Sequence, residues 1–232
     1  LDALTSGDGN VGVGMETLSA TNTGRYNTAV GYRTLYTNTS GDTNVAVGKE
    51  SLYYNTTGDD NIALGNQALT TNTTGASNIA VGTNALTANT TADDNIAIGH
   101  NTLSANTTGT RNIGIGRGAY YGSDTENDNL AIGYNAMTTN TAGGTKNVAI
   151  GNYALDALTS GDNNTAVGYD ALSANNTGYD NTAVGKDALL ANTTGGDNTA
   201  IGAIALAANT TGGNNVAIGR YALAVSTTGS KN

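Results

Sequence analysis

Asn61–Ser77 reads NIALGNQALTTNTTGAS, and Asn181–Asp197 reads NTAVGKDALLANTTGGD. Both follow one pattern, N-x-A-V/I-G-x-x-A-L-x-x-N-T-T-G-x-x, with Leu64 at the V/I place in the first. The opening asparagine recurs at 10, 27, 44, 61, 78, 95, 112 and 129, a step of 17. After one 18-residue step it continues at 147, 164, 181, 198, 215 and 232, so thirteen units are complete. A short fixed period of this kind marks a solenoid, in which each unit buries its apolar face only by stacking on its neighbours.

Within a unit, Asn78-Ile79-Ala80-Val81-Gly82 puts β-branched residues on one face of a strand and alanine on the other. The glycine (Gly31, Gly48, Gly65, Gly82, Gly99 and their equivalents) ends the strand and turns a corner that favours positive φ. A second short strand is expected around Ala85-Leu86 and Ala171-Leu172, with Asn-Thr-Thr-Gly as the return turn. Coils stacked at the strand spacing of about 4.8 Å align Asn27, Asn44, Asn61, Asn78 and Asn95 into an amide ladder. Leu35, Leu52, Leu69, Leu86 and Leu103 are expected to line the interior beside the Val/Ile row. Thirteen rungs then make a rod of about 60 Å. The expected fold is an all-β, parallel β-solenoid of thirteen coils. A three-sided helix of hexapeptides would place an aliphatic residue at every sixth position, whereas here Val81 and Leu86 lie five apart and the next rung follows at Ile98. The calcium-binding G-G-x-G-x-D series does not occur.

Residues 1–10, LDALTSGDGN, nearly repeat 155–164, LDALTSGDNN, so the chain opens in mid-repeat, and Asn232 begins a unit it does not finish. A segment of a longer protein is expected. Residues 1–9 form a partial repeat, 10–111 and 147–232 regular repeats, and 112–146 an irregular stretch. There Gly114 replaces alanine, Tyr120 replaces leucine, Asn-Thr-Thr-Gly is lost, and the following unit has the 18-residue length.

Composition narrows the function. The chain has 33 glycines and no Pro, Cys, Trp or Phe, so a deep core of large side chains is excluded. Net charge is −9, and the nine Lys or Arg are scattered rather than gathered into the stripe that a nucleic-acid backbone requires. No apolar run reaches the roughly 18 residues of a membrane helix, so no membrane insertion by this segment is expected. Absence of cysteine removes disulfides and zinc thiolates. The strand is apolar on both faces, and only one face can look into its own coil. Such a thin coil is marginal alone, so two further copies of the chain are expected to cover the other face as a homotrimer.

The N-x-A-V/I-G-x-x-A core resembles the head repeats of trimeric autotransporter adhesins. The longer A-L-x-x-N-T-T-G form resembles repeats of bacteriophage tail fibres and related bacterial fibre adhesins. The resemblance covers essentially the whole chain, although adhesin heads usually have shorter repeats without the Asn-Thr-Thr turn. It implies a left-handed parallel β-roll, three chains side by side, on a bacterial cell surface or a phage virion. The shared residues are structural, so the resemblance speaks for fold more than for activity.

Catalytic and cofactor chemistry have little to work with. His100 is the only histidine and occupies a variable place filled elsewhere by Asn66, Thr83 or Arg117. No catalytic residue, metal site or cofactor is expected. Asp42 with Asp59, and Asp180 with Asp197, stack near one corner and read as solvated turn residues rather than a cation site. Candidate binding residues are Tyr36, Tyr53 and Tyr54, with Tyr36 and Tyr53 on consecutive rungs, and Arg117, Tyr120 and Tyr121 in the irregular unit; exposed tyrosines suit the faces of sugars. The threonine rows beginning at Thr56-Thr57 raise an ice-binding alternative, in which only one row could face outward. Asn55, Asn72, Asn89 and Asn192 open Asn-x-Thr sequons that follow from the turn consensus. The expected function is a shaft or head segment of an extracellular fibre mediating attachment, with ice or glycan binding along its own surface as the alternative.

Overall fold

The computed structural model describes residues 6–21, 23–122, 124–140 and 142–232, so residues 1–5 of the partial repeat lie outside the described residues. The chain divides into two units, Leu1–Asn112 and Ile113–Asn232. The first holds β1 (Val11–Val13), β2 (Thr28–Val30), β3 (Val45–Val47), β4 (Ile62–Leu64), β5 (Ile79–Val81) and β6 (Ile96–Ile98). The second holds β7 (Ile113–Ile115), β8 (Leu130–Ile132), β9 (Val148–Ile150), β10 (Thr165–Val167), β11 (Thr182–Val184), β12 (Thr199–Ile201) and β13 (Val216–Ile218). Within each unit every strand pairs in parallel with the next, at the same repeat position: Ile62 with Ile79, Ala63 with Ala80, Leu64 with Val81. The 18-residue step keeps this register, with Leu130 beside Val148. The parallel β-solenoid of thirteen coils is therefore the fold.

Two expectations about the coil are corrected. Each coil has one strand, not two. The segment after the glycine, which includes Ala85-Leu86 and Ala171-Leu172, places every second residue in the left-handed region, as at Glu50 (φ 55°) and Leu52 (φ 50°). Such a conformation costs roughly 1–2 kcal/mol for a side chain other than glycine. Here it is offset by burial of the leucine and by bonds between coils. The Leu52 N–H donates to the Ala68 carbonyl at 3.0 Å, and Tyr54 N–H to Thr70 at 3.0 Å. Leu35, Leu52, Leu69, Leu86 and Leu103 are fully buried, as expected.

The second correction concerns which face of the strand points inward. Ala63, Ala80 and their equivalents are fully buried, while Ile62 and Leu64 are each 37% exposed. The leucine from the opposite edge and the asparagines fill the thin interior, leaving room on the strand's inner face for a methyl group. The larger aliphatic side chains therefore face outward.

The asparagine ladder forms as expected, and every amide group on it is used. Asn44 donates through both its backbone N–H (2.9 Å) and its Nδ2 (3.1 Å) to Asn27 Oδ1, and through Nδ2 to the Gly58 carbonyl (2.8 Å). A buried amide with its donors and acceptor satisfied contributes stability and fixes register at once. The strand-end glycine is required twice over. Gly65 has φ 145°, and a Cβ there would lie 2.5 Å from the Gly82 carbonyl oxygen of the next coil.

A second ladder runs through the asparagine of Asn-Thr-Thr-Gly, which the sequence reading treated only as a turn. Asn38, Asn55, Asn72, Asn89 and Asn106 are fully buried, and Asn55 Nδ2 donates to Asn38 Oδ1 and to the Gly58 carbonyl, both at 2.9 Å. The Gly58 carbonyl thus joins the two ladders within one coil. Burial also makes the sequon asparagines Asn55, Asn72, Asn89 and Asn192 inaccessible to any modifying enzyme in the folded chain.

Candidate functional site

The irregular stretch 112–146 is a repair of these ladders. In its first unit the sequence carries Ser123 where other units carry the second-ladder asparagine. Tyr120, in the leucine place, is fully buried. Its hydroxyl accepts from Asn129 Nδ2 (2.5 Å) and Asn140 Nδ2 (3.0 Å). Tyr120 therefore belongs to the core and is withdrawn from the surface-binding candidates.

A second departure lies in the turn of the same unit. Glu126, 3% exposed, stands where most units have the glycine of Asn-Thr-Thr-Gly. Its carboxylate accepts from the backbone N–H of Asp124 (2.9 Å), Thr125 (3.1 Å) and Gly143 (3.1 Å). A carboxylate needs more room than glycine, and three backbone amides meet it here. Arg117 and Tyr121 remain exposed on this coil, Tyr121 at 50%.

Among the described residues, four buried side-chain polar atoms lack a partner: Thr21 Oγ1, Asn106 Oδ1, Asn140 Oδ1 and Asn209 Oδ1. All four belong to the second ladder, beside its interruptions. Elsewhere each ladder Oδ1 accepts from the asparagine of the following coil, and within the second unit the sequence has Leu158 in that place after Asn140 and Ser226 after Asn209. They are breaks in a structural ladder rather than groups aimed at a ligand.

The tyrosines of the first unit come together as expected. Tyr36 and Tyr53 stack with ring centroids 5.1 Å apart and planes 7° from parallel. Tyr54 meets Tyr53 edge-on at 4.6 Å. A cleft beside them is lined by Arg33, Glu50, Tyr53, Tyr54, Gln67 and Thr70. Only the tyrosines of this cleft stand out in the sequence. Arg33, Glu50 and Gln67 each lie two places after the strand-end glycine, and Thr70 continues the Tyr36–Tyr53 row, so a search by column would have found them. A second aromatic group, Tyr134, Tyr153 and Tyr169, joins by edge contacts at 5.4 and 5.9 Å in the second unit.

The other candidates resolve into structural roles. Asp59 Oδ1 accepts the Asp42 N–H and Asp42 Oδ1 accepts the Arg25 N–H, both at 2.7 Å, so these carboxylates tie coil to coil. No group of three or more metal-ligating side chains occurs among the described residues. Thr56 Oγ1 donates to the Thr73 carbonyl and Thr73 Oγ1 to Thr90, both at 2.9 Å, which spends the hydroxyl donors of that row on the turn itself. Thr57, Thr74 and Thr91 are the exposed row. His100 is exposed, as its variable place implies. No helix among the described residues is long and apolar enough to cross a membrane.

A further candidate surface is the outer face of the strands. In the first unit its second and fourth repeat places hold only Val, Ile, Leu and one threonine, and in the second unit the same types with three threonines. Val47 (38%), Ile98 (39%) and Ile201 (40%) show how much of each side chain stays open. No family model, curated protein or solved structure matches the chain.

Proposed function

We propose that this chain is a structural segment of an extracellular fibre, in which three copies associate through the aliphatic faces of their strands. The observation that carries this reading is an outer parallel-sheet face with no charged residue on it. A parallel sheet ordinarily has both faces covered. In the first unit alone the strip measures about 10 Å by about 25–30 Å from strand dimensions, near the largest apolar patch of an ordinary monomer.

A second copy is the best-matched occupant, because its rows of side chains repeat at the same spacing and can interlock rung by rung. The resemblance to trimeric adhesin and tail-fibre repeats supports three copies about a common axis rather than two. Acidic and polar residues on the turns keep such a fibre dispersed. The role is to set reach and stiffness on a bacterial surface or a phage virion, without catalysis.

Sedimentation equilibrium tests this. The wild-type chain is expected at three times its 23.1 kDa mass. Leu64→Lys combined with Ile201→Lys is expected at the single-chain mass with an unchanged far-UV spectrum. A wild-type chain that stays folded and monomeric at all concentrations overturns the proposal.

A further inference from the structure

We infer that the cleft of Arg33, Glu50, Tyr53, Tyr54, Gln67 and Thr70 binds a neutral saccharide. Two columns of the first unit, with Tyr54 from a third, create it. Glu16, Arg33, Glu50 and Gln67 occupy the same place on successive coils, and so do Tyr36, Tyr53 and Thr70. The cavity is about 310 Å³, the low end of small-ligand sites and suited to one or two sugar rings.

One wall is an aromatic corner. Tyr53 is held by its stack on Tyr36, and Tyr54, 49% exposed, stands across it at 77°. Such rings offer rigid apolar area and two hydroxyls at little entropic cost. A pyranose presents the matching surface, a C–H face rimmed by hydroxyls.

The other wall is polar and balanced in charge. Gln67 Nε2 donates to Glu50 Oε2 (2.9 Å), Thr70 Oγ1 donates to the Glu50 carbonyl (3.0 Å), and Arg33 Nε pairs with Glu16. The lining carries one arginine and one glutamate. An anionic ligand would face Glu50 and a guanidinium already committed to Glu16, and a cationic ligand would face Arg33. A neutral polyol meets donors and acceptors without either conflict.

The fold does not require these side chains. Coils before and after place Ser19, Thr87 or Ser104 where Tyr36 and Tyr53 stand, and their strands keep the same register. Aromatic residues concentrated on two successive coils, beside a cleft, therefore mark a local specialisation of a uniform array.

The test is an array of neutral hexose and N-acetylhexosamine oligosaccharides beside sialylated and sulfated ones, probed with the labelled chain. The best neutral oligosaccharide is then titrated by calorimetry. Neutral binding is expected, with Tyr54→Ala and Gln67→Ala each weakening it on the order of tenfold. Tyr169→Ala, in the second unit, is expected to leave it unchanged. Tyr54 is half exposed, and a far-UV spectrum confirms that its variant stays folded. Absence of binding, binding confined to acidic glycans, or binding insensitive to Tyr54→Ala and Gln67→Ala overturns the inference. Because the titration is read per chain, it is decided independently of how many copies associate.

Discussion

Replacing Tyr120 by phenylalanine removes one oxygen from the repaired coil and leaves the ring in place. The hydroxyl accepts from Asn129 Nδ2 at 2.5 Å and Asn140 Nδ2 at 3.0 Å. Asn129 keeps two other acceptors through the same nitrogen, the carbonyls of Asn127 (3.1 Å) and Gly144 (2.9 Å). Asn140 keeps one oxygen acceptor, the Gly144 carbonyl at 2.7 Å. One of its N–H groups is therefore buried without an oxygen partner, at roughly 1–3 kcal/mol, and a second bond of about 1 kcal/mol is lost at Asn129. The expected destabilisation is about 2–4 kcal/mol. Tyr121→Phe, on a half-exposed ring, should stay within about 0.5 kcal/mol. Urea unfolding followed by far-UV circular dichroism measures both. Hydrogen exchange should quicken first in peptides covering 129–146, because solenoid coils contact mainly their neighbours. Adding Ser123→Asn to Tyr120→Leu, which restores the repeat consensus at both places, should recover most of the loss if the two positions are coupled. A Tyr120→Phe chain that unfolds like Tyr121→Phe refutes the account of Tyr120 as a substitute rung.

Three further outcomes are expected. Gly82→Ala should lower the urea midpoint sharply, because φ is 133° and the new Cβ would lie 2.4 Å from the Gly99 carbonyl oxygen; Gly58→Ala meets a similar approach, 2.3 Å from the Gly75 carbonyl oxygen, but has no positive φ and Ala92 occupies the equivalent place, so it should cost less. Leu69→Ala, at a fully buried interior position, should cost about 2–5 kcal/mol by urea titration. Burial, and then the Asp170 carboxylate, hold the Asp156 carboxyl above its ordinary 3.8. A folded-state value raised in this way favours the fold below the ordinary value, and that contribution is lost as pH rises through the raised one. Asp156→Asn should therefore raise the urea midpoint at neutral pH, and the gap from wild type should close below the ordinary aspartate value; a gap that persists in acid contradicts this.

Much of the candidate site was legible in the sequence and part of it was not. The Tyr36–Tyr53 stack follows from a 17-residue spacing alone, because identical coils place equivalent residues one above another. The cleft beside it was missed because its other walls come from a different column, and only the path of the coil sets two columns side by side. Tyr120 misled for the opposite reason. A large residue at an irregular position looked like surface decoration, yet its column is the buried leucine column, and its hydroxyl meets the ladder asparagines Asn129 and Asn140.

Periodicity by itself determined the parallel solenoid, the coil register, the first asparagine ladder and the glycine corner, since each depends only on identical units stacking. Three features depended on the tertiary structure: the inward alanine and outward aliphatic row, the left-handed leucine segment in place of a second strand, and the second amide ladder. An alternating strand shows that its two faces differ, but not which one is inside. That is decided by the space left once the leucine and both asparagines fill a thin coil. The interior has room for a methyl group, and the larger side chains are left outside, where the proposed partners would meet them.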